Sequence, residues 1–385
     1  MRDLPMRVAI FQPLIPSYRL PLYERLGALP GLELTVYAGD SEGSLKACHR
    51  GTSFRVVSAP LRYWALGFRT QSAQVSLPTH RKFDLLIAPW DIHYLTVIPS
   101  VALARSMGIP IVLWGHGYSL RPHLLSDAAR NLWGKMANGV LLYTGSVANQ
   151  LIEECGFSRD RVFVAQNALD QAPIQAARRH WLDRPRELED FQRSHGLDPA
   201  KTIVFLSRLE VANRIDLLLH ASAALSREHP ALKTVVIGDG SSRAELQLLA
   251  RSLRIEDRVI FTGAIYEESK LAPWMLSGTL FCYPANIGLS LLHAFGYGLP
   301  AVTSDDRWAQ NPEIEALVPD GNGLEYRSGD LNDMVRQCAR ILSDSALHQR
   351  LSASALQTVQ DLYSMDQMVD GFKQLFGWYA ALSRR

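Results

Sequence analysis

Short, strongly apolar runs recur along this chain, separated by stretches with helical spacing, and that alternation is what most limits its fold. Val8–Phe11, Leu34–Tyr37, Leu85–Ala88, Ile111–Trp114, Val140–Tyr143 and Arg161–Ala165 have the length and β-rich character of strands covered on both faces. Helical patterns such as Leu20–Leu29, Ile98–Met107 and Ser146–Cys155 lie between them, the last stopped by Gly156. Such alternation builds a parallel sheet with helices on both faces. A second series starts at Thr202–Leu206 and continues through Thr234–Ile237, Val259–Phe261, Leu280–Tyr283 and Ala301–Thr303. Helices are expected near Asp216–Glu228, Ser242–Ser252, Leu289–Tyr297 and Asp330–Ser343. The predicted class is α/β with two doubly wound domains, which a length of 385 residues accommodates. The first covers residues 1–170 and the second 171–364, with a last helix at about 365–385 packing back on the first. The charged, proline-punctuated stretch Gln171–Pro199 reads as the connection, part of it helical.

Charge is divided unevenly. The net formal charge is +2, so no whole-protein field argues for nucleic acid. Residues 1–150, however, hold 15 Lys and Arg against 8 Asp and Glu, or +7, and the remainder holds 25 against 30, or −5. A basic first half suits an anionic acceptor or membrane surface. Leu61–Arg69 and Ala128–Met136 mix aromatics with cations, a pattern shared by interfacial segments and half-buried helices. Prolines break the start of the chain before a secretory apolar run can form. The longest apolar stretch, Leu85–Ala104, contains Asp91, His93 and two prolines, so it is no simple membrane span. The expected location is the cytoplasm or the inner face of the plasma membrane. Cys48, Cys155, Cys282 and Cys338 form no CxxC pair and read as reduced thiols, without a metal site.

Ligands of open α/β sheets sit beyond the carboxyl ends of the strands. Arg208 follows one strand, with Arg214 at the start of the next helix; Gly238-Asp239-Gly240 closes a second strand and Phe261-Thr262-Gly263 ends a third. After the fourth comes a loop with Asn286 and Gly288, and a helix opening at Leu289 or Ser290. First-turn amides favour an anion, and glycine allows close approach to the backbone. His293 lies one turn deeper on the same face.

This order of motifs resembles glycosyltransferase family 4, retaining nucleotide-sugar-dependent enzymes of the GT-B fold, in which two Rossmann-like domains face one another across a cleft. The resemblance covers about residues 200–345, continuing through Gly298-Leu-Pro300, Asn311-Pro-Glu313 and Asp320-Gly-Asn-Gly323. Weaker similarities in the first half are Pro16–Tyr23, Ile111–Gly117 and Val164–Asp170. The family places a lysine five residues after its arginine, where this chain has Asn213 beside Arg214. Its two glutamates, for donor sugar and ribose, fall on Ala285 and His293.

The resemblance implies sugar transfer, with retention, from a nucleotide diphosphate sugar to a hydroxyl of a saccharide or lipid-linked acceptor, in bacterial surface polysaccharide synthesis. Arg208 and Arg214 then stabilise the departing diphosphate, and His116 faces the reacting sugar. Donor contacts fall to Gly238, Asp239, Gly240, Thr262, Gly263, Asn286, Gly288, Leu289, Ser290 and His293, with Asn286 serving where Ala285 cannot. Tyr18, Arg19, Asp91 and His93 lie on the acceptor side. No Asp-x-Asp triplet is present, so neither metal nor cofactor is expected. Two alternatives stay open: a catalytically silent nucleotide-sugar-binding homologue, and an epimerase or hydrolase on the same fold.

Overall fold

The structure is a computed structural model that describes residues 5–39, 41–42, 45–46, 51–79, 82–118 and 124–382; Cys48 lies outside them. It divides into two compact units, Met1–Asn167 with Met365–Arg385, and Ala168–Ser364.

The first unit is built on seven parallel strands: β1 (Met6–Gln12), β2 (Leu32–Ala38), β3 (Arg55–Ser58), β4 (Leu85–Pro89), β5 (Ile111–Gly115), β6 (Gly139–Leu142) and β7 (Val162–Val164). Their order is β7-β6-β5-β4-β1-β2-β3. The chain runs outward from β1 to β3 and then returns to the other side of β1, so the sheet changes direction between β1 and β4. Val8, Ala9, Ile10 and Phe11 are fully buried, as a central parallel strand requires. Strand β3 has two half-buried valines between exposed Arg55 and Ser58, too short an apolar run to announce it. The helix Met365–Leu382 belongs to this unit. It buries Phe372 with its ring 5.1 Å from that of Trp114, edge to face, and brings Gly371 onto the backbone at Val164–Ala165.

The second unit carries six parallel strands: β8 (Thr202–Leu206), β9 (Lys233–Ile237), β10 (Val259–Gly263), β11 (Leu280–Cys282), β12 (Ala301–Ser304) and β13 (Gly323–Tyr326). The order β10-β9-β8-β11-β12-β13 reverses between β8 and β11. Cys282 and Cys338 are buried thiols with sulfurs 3.9 Å apart, and Cys155 is half-buried.

Gln171–Pro199, read as a partly helical connection at the start of the second domain, forms the helices Gln171–Leu182 and Pro185–His195 of the second unit. Asp170 caps the first by accepting from the Ala172 amide, Gly196 ends the second in the left-handed region, and Ile174 and the Trp181 indole, bonded to the Ser269 carbonyl, fix the first in place. Leu61–Arg69 is not a helix. Arg62–Tyr63 and Arg69–Thr70 pair antiparallel, and Tyr63, Trp64 and Leu66 stand out into solvent. Among the described residues no helix is long and apolar enough to cross a membrane.

Candidate functional site

In doubly wound sheets, ligand sites form outside the carboxyl ends of the strands where strand order reverses. In the second unit that position is filled by the loops after β8 and β11. Arg208 stands in the first, exposed, and its guanidinium bonds no described residue. Tyr283, just past β11, donates its hydroxyl to Ser207 Oγ at 3.0 Å. Burial pushes the Tyr283 hydroxyl up to about 12, against the opposing pulls of the Ser207 bond and the nearby Arg208 charge. Arg208 therefore keeps an uncompensated positive charge at the switch point.

The glycine turn after β9 seats that arginine. Gly238 has φ 147°, and a Cβ there would stand 1.8 Å from the Ser207 carbonyl oxygen. Ser207 N donates to Ile237 O at 3.1 Å and Leu209 N to Asp239 O at 3.0 Å; Gly240 packs directly on Leu209. Asp239 is satisfied locally, accepting from the Gly240 amide and from Arg243. The Gly238 amide reaches Gly263 O at 2.9 Å, which also accepts from Thr262 Oγ1. These residues are thus brought together, but their polar groups chiefly hold one another.

The loop after β11 is pinned from below. Buried Gln310 accepts from the Ile287 amide at 2.6 Å, and Asn311 Nδ2 donates to Asn286 Oδ1 at 3.0 Å. Asn286, in the left-handed region at φ 61°, donates in turn to Asn213 Oδ1 at 3.0 Å, and Asn213 donates to the Arg208 carbonyl at 2.7 Å. Asn213 is therefore the buried link between the two loops, a role with no charge. The side chain expected to touch the donor sugar, Asn286, spends one donor and one acceptor inside this chain. Gly288 is different: a Cβ there would meet only the Asn311 side chain, at 3.5 Å, and its φ does not require glycine. The Gly288, Leu289 and Ser290 amides bond no described protein group.

Arg214 was expected to replace the missing lysine. Its fork instead closes on Asp216, at 3.0 Å from both Nε and Nη2, so its charge is compensated. His293 pairs through Nε2 with Glu268 at 2.9 Å. Glu268 and Gln310 are absent from the sequence analysis and Tyr283 enters it only as a strand residue, since no spacing ties a carboxylate 25 residues upstream to His293.

In the first unit, order reverses between β1 and β4. Tyr18 and Arg19 follow β1; Asp91 and His93 follow β4. Buried Arg19 donates to Asn167 Oδ1 at 2.8 Å and lies 5.4–5.5 Å from the Tyr18, Trp114 and Tyr143 ring centres. His116, at the end of β5, packs edge-on against the same Tyr143 at 5.3 Å. The residue is exposed, yet desolvation by the surrounding protein and then the Arg19 charge lower its pKa to about 4, against the pull of Asp91. Asp91 accepts from the His93 amide and ring and from Arg69, and these bonds hold its carboxyl below the ordinary range despite burial.

Residues 187–358 match the family model described as glycosyl transferases group 1. Alpha-D-kanosaminyltransferase of Streptomyces kanamyceticus is 24% identical over 300 residues, 72% of each chain. The lipopolysaccharide core biosynthesis glycosyltransferase LpsE of Rhizobium meliloti is 24% identical over 228 residues, 58% of this chain and 60% of that one. In structure, Anabaena HepE in complex with UDP superposes with a TM-score of 0.73 at 14% identity, covering 97% of this chain and 99% of the other. The fold is GT-B, two Rossmann-like α/β units.

Proposed function

We propose that this chain is a glycosyltransferase that moves a sugar from a nucleotide diphosphate sugar, with retention at the anomeric carbon, to a hydroxyl of a saccharide or lipid-linked acceptor in bacterial surface polysaccharide synthesis. The observation that carries the reading is the unpaired Arg208 guanidinium at the reversal point of the second sheet. Of the relatives named above, one is called a kanosaminyltransferase and the other a glycosyltransferase of lipopolysaccharide core biosynthesis. In family terms the chain is a branch of glycosyltransferase family 4 in which Asn213, Ala285 and His293 depart from the usual residues.

Transfer breaks the bond from the anomeric carbon to the diphosphate oxygen and forms one to the acceptor oxygen. The electron pair of the broken bond leaves with the diphosphate, whose oxygen takes the acceptor proton. A guanidinium fork matches the developing phosphate charge, and donors fixed in advance lose no energy to reorganisation. Arg208 and the amides of Gly288–Ser290 supply those donors, with no divalent ion. His116, neutral at pH 7, contacts a hydroxyl of the reacting sugar, Tyr18, Asp91 and His93 serve the acceptor, and Arg19, buried and bonded to Asn167, acts on His116 through its charge.

Calorimetry with UDP-, GDP- and dTDP-sugars identifies the donor, and a transfer assay follows. Arg208→Ala lowers turnover by about 10²–10³ while the fold persists, and wild-type turnover survives EDTA. Unchanged turnover in Arg208→Ala contradicts the leaving-group role. A second reading, a silent nucleotide-sugar-binding homologue, is favoured by the compensated charge of Arg214 and the neutral Asn213. Donor binding without turnover on any acceptor extract selects it.

A further inference from the structure

We propose that Gln310 and Asn311 are positioning residues for the diphosphate: they fix the loop after β11 and, through a relay of asparagine amides, the loop that carries Arg208. This rests on the reading that the second unit binds a nucleotide diphosphate sugar. Both residues lie in the segment that follows β12. Gln310 is fully buried and holds the Ile287 amide through Oε1 at 2.6 Å, while its own Nε2 donates to Ser304 Oγ at 2.9 Å. Asn311 grips the same stretch of backbone. Its main-chain N–H reaches the Ile287 carbonyl at 3.0 Å, and its Nδ2 reaches the Asn286 carbonyl at 3.1 Å. The carbonyl of Asn286 and the amide of Ile287 belong to one peptide group, so both of its polar atoms are fixed from the next loop. That peptide directly precedes Gly288, and its orientation sets where the Gly288, Leu289 and Ser290 amides point.

The relay starts from the same Asn311 nitrogen, which also donates to Asn286 Oδ1 at 3.0 Å. Asn286 donates onward to Asn213 Oδ1 at 3.0 Å, and Asn213 to the Arg208 carbonyl at 2.7 Å. Asn286 and Asn213 each accept on oxygen and donate from nitrogen, so their dipoles align head to tail and each bond strengthens the next. The strands β8, β11 and β12 are neighbours in the sheet, and the relay stitches their carboxyl-end loops together across the reversal of strand order. It brings no charge to the site; its contribution is geometric. Donors aimed in advance need no reorganisation when phosphate arrives, and here the two sets are aimed from one place.

The test is calorimetry of the full chain with UDP, ADP and GDP, each beside its monophosphate. None of these carries a donor sugar, so the readout is separate from any sugar contact of Asn286. For the nucleotide that binds, wild type prefers the diphosphate. Asn311→Ala lowers that preference by about tenfold, the value of one good hydrogen bond, with the monophosphate affinity nearly unchanged. Asn286→Gly does the same: glycine keeps the left-handed backbone but removes the middle of the relay, and this variant carries the test should Asn311→Ala not fold. In an Arg208→Ala background both substitutions have a smaller effect, because part of what they position is gone. Thermal melts confirm that each variant is folded. A folded variant with the wild-type preference overturns the inference, as does equal loss of monophosphate and diphosphate affinity, or an effect undiminished in the Arg208→Ala background. A wild type that binds both phosphates equally overturns it too; all of these leave nucleotide binding itself standing. Failure of wild type to bind any of the three diphosphates overturns both readings.

Discussion

His116 is the residue whose environment departs furthest from expectation. A histidine at the end of a strand was expected to face substrate, and its ring does reach solvent. What the sequence could not reveal is that Arg19, nearly a hundred positions earlier, shares Tyr143 with it and repels its proton. The folded pKa of about 4 lies below the ordinary value near 6.5. Between those two values the unfolded chain binds more protons, so stability from this group is present above about pH 6.5 and lost as pH falls towards 4. Because the ring is solvent-accessible, that loss is small, and the titration itself is the better measurement. In an NMR titration the His116 resonances should shift with a midpoint near 4, and Arg19→Gln should move that midpoint upwards. A midpoint near 6.5 in the wild type would remove both the desolvation and the influence of Arg19.

Loops and the strands they cap show how far pattern reading extends. Most strands of both sheets are legible because burial on two faces leaves uninterrupted apolar runs, as at Val8–Phe11 and Thr202–Leu206, whereas the edge strands β3 and β13 have no such run. The order of Arg208, Gly238-Asp239-Gly240, Thr262-Gly263 and Gly288 is legible too, since each follows a strand. The division of labour among them is not. Gly238 and Gly288 look alike in sequence, yet the first is required by its φ and by the Ser207 carbonyl, and the second by neither. Gly238→Ala should cost several kcal/mol, because a backbone atom must move and the displaced loop carries Arg208. Gly288→Ala should leave the melting temperature within a few degrees while weakening nucleotide diphosphate binding, because only the approaching ligand needs the space. Melting curves and calorimetry on the pair separate the two roles; equal destabilisation would return Gly288 to a packing role. Ion-pair partners were likewise beyond reach: Asp216 was readable only as a helix-opening residue, not as the group that closes on Arg214.

On the scale of the whole molecule, the uneven charge acquires a surface on which to act. Residues 1–150 carry a balance of +7, and the hairpin at Arg62–Thr70 projects Tyr63, Trp64 and Leu66, the last 88% exposed. Leu66 holds a left-handed backbone at φ 59°, which turns the hairpin tightly and leaves its side chain outermost. Aromatic residues with a leucine beside arginine suit the boundary between head groups and acyl chains. The hairpin is joined to the loop after β4, since Arg69 pairs with Asp91 and donates its amide to the His93 carbonyl. Each cation near an anionic surface contributes about 1 kcal/mol, and that contribution decays within a Debye length of about 8 Å at physiological salt. The chain should therefore co-sediment with phosphatidylglycerol-containing vesicles at low salt and release at high salt, and Trp64→Ala with Leu66→Ala should weaken binding without touching the charge. Equal sedimentation with neutral vesicles would deny the electrostatic contribution, and full binding by the double variant would move the contact away from the hairpin.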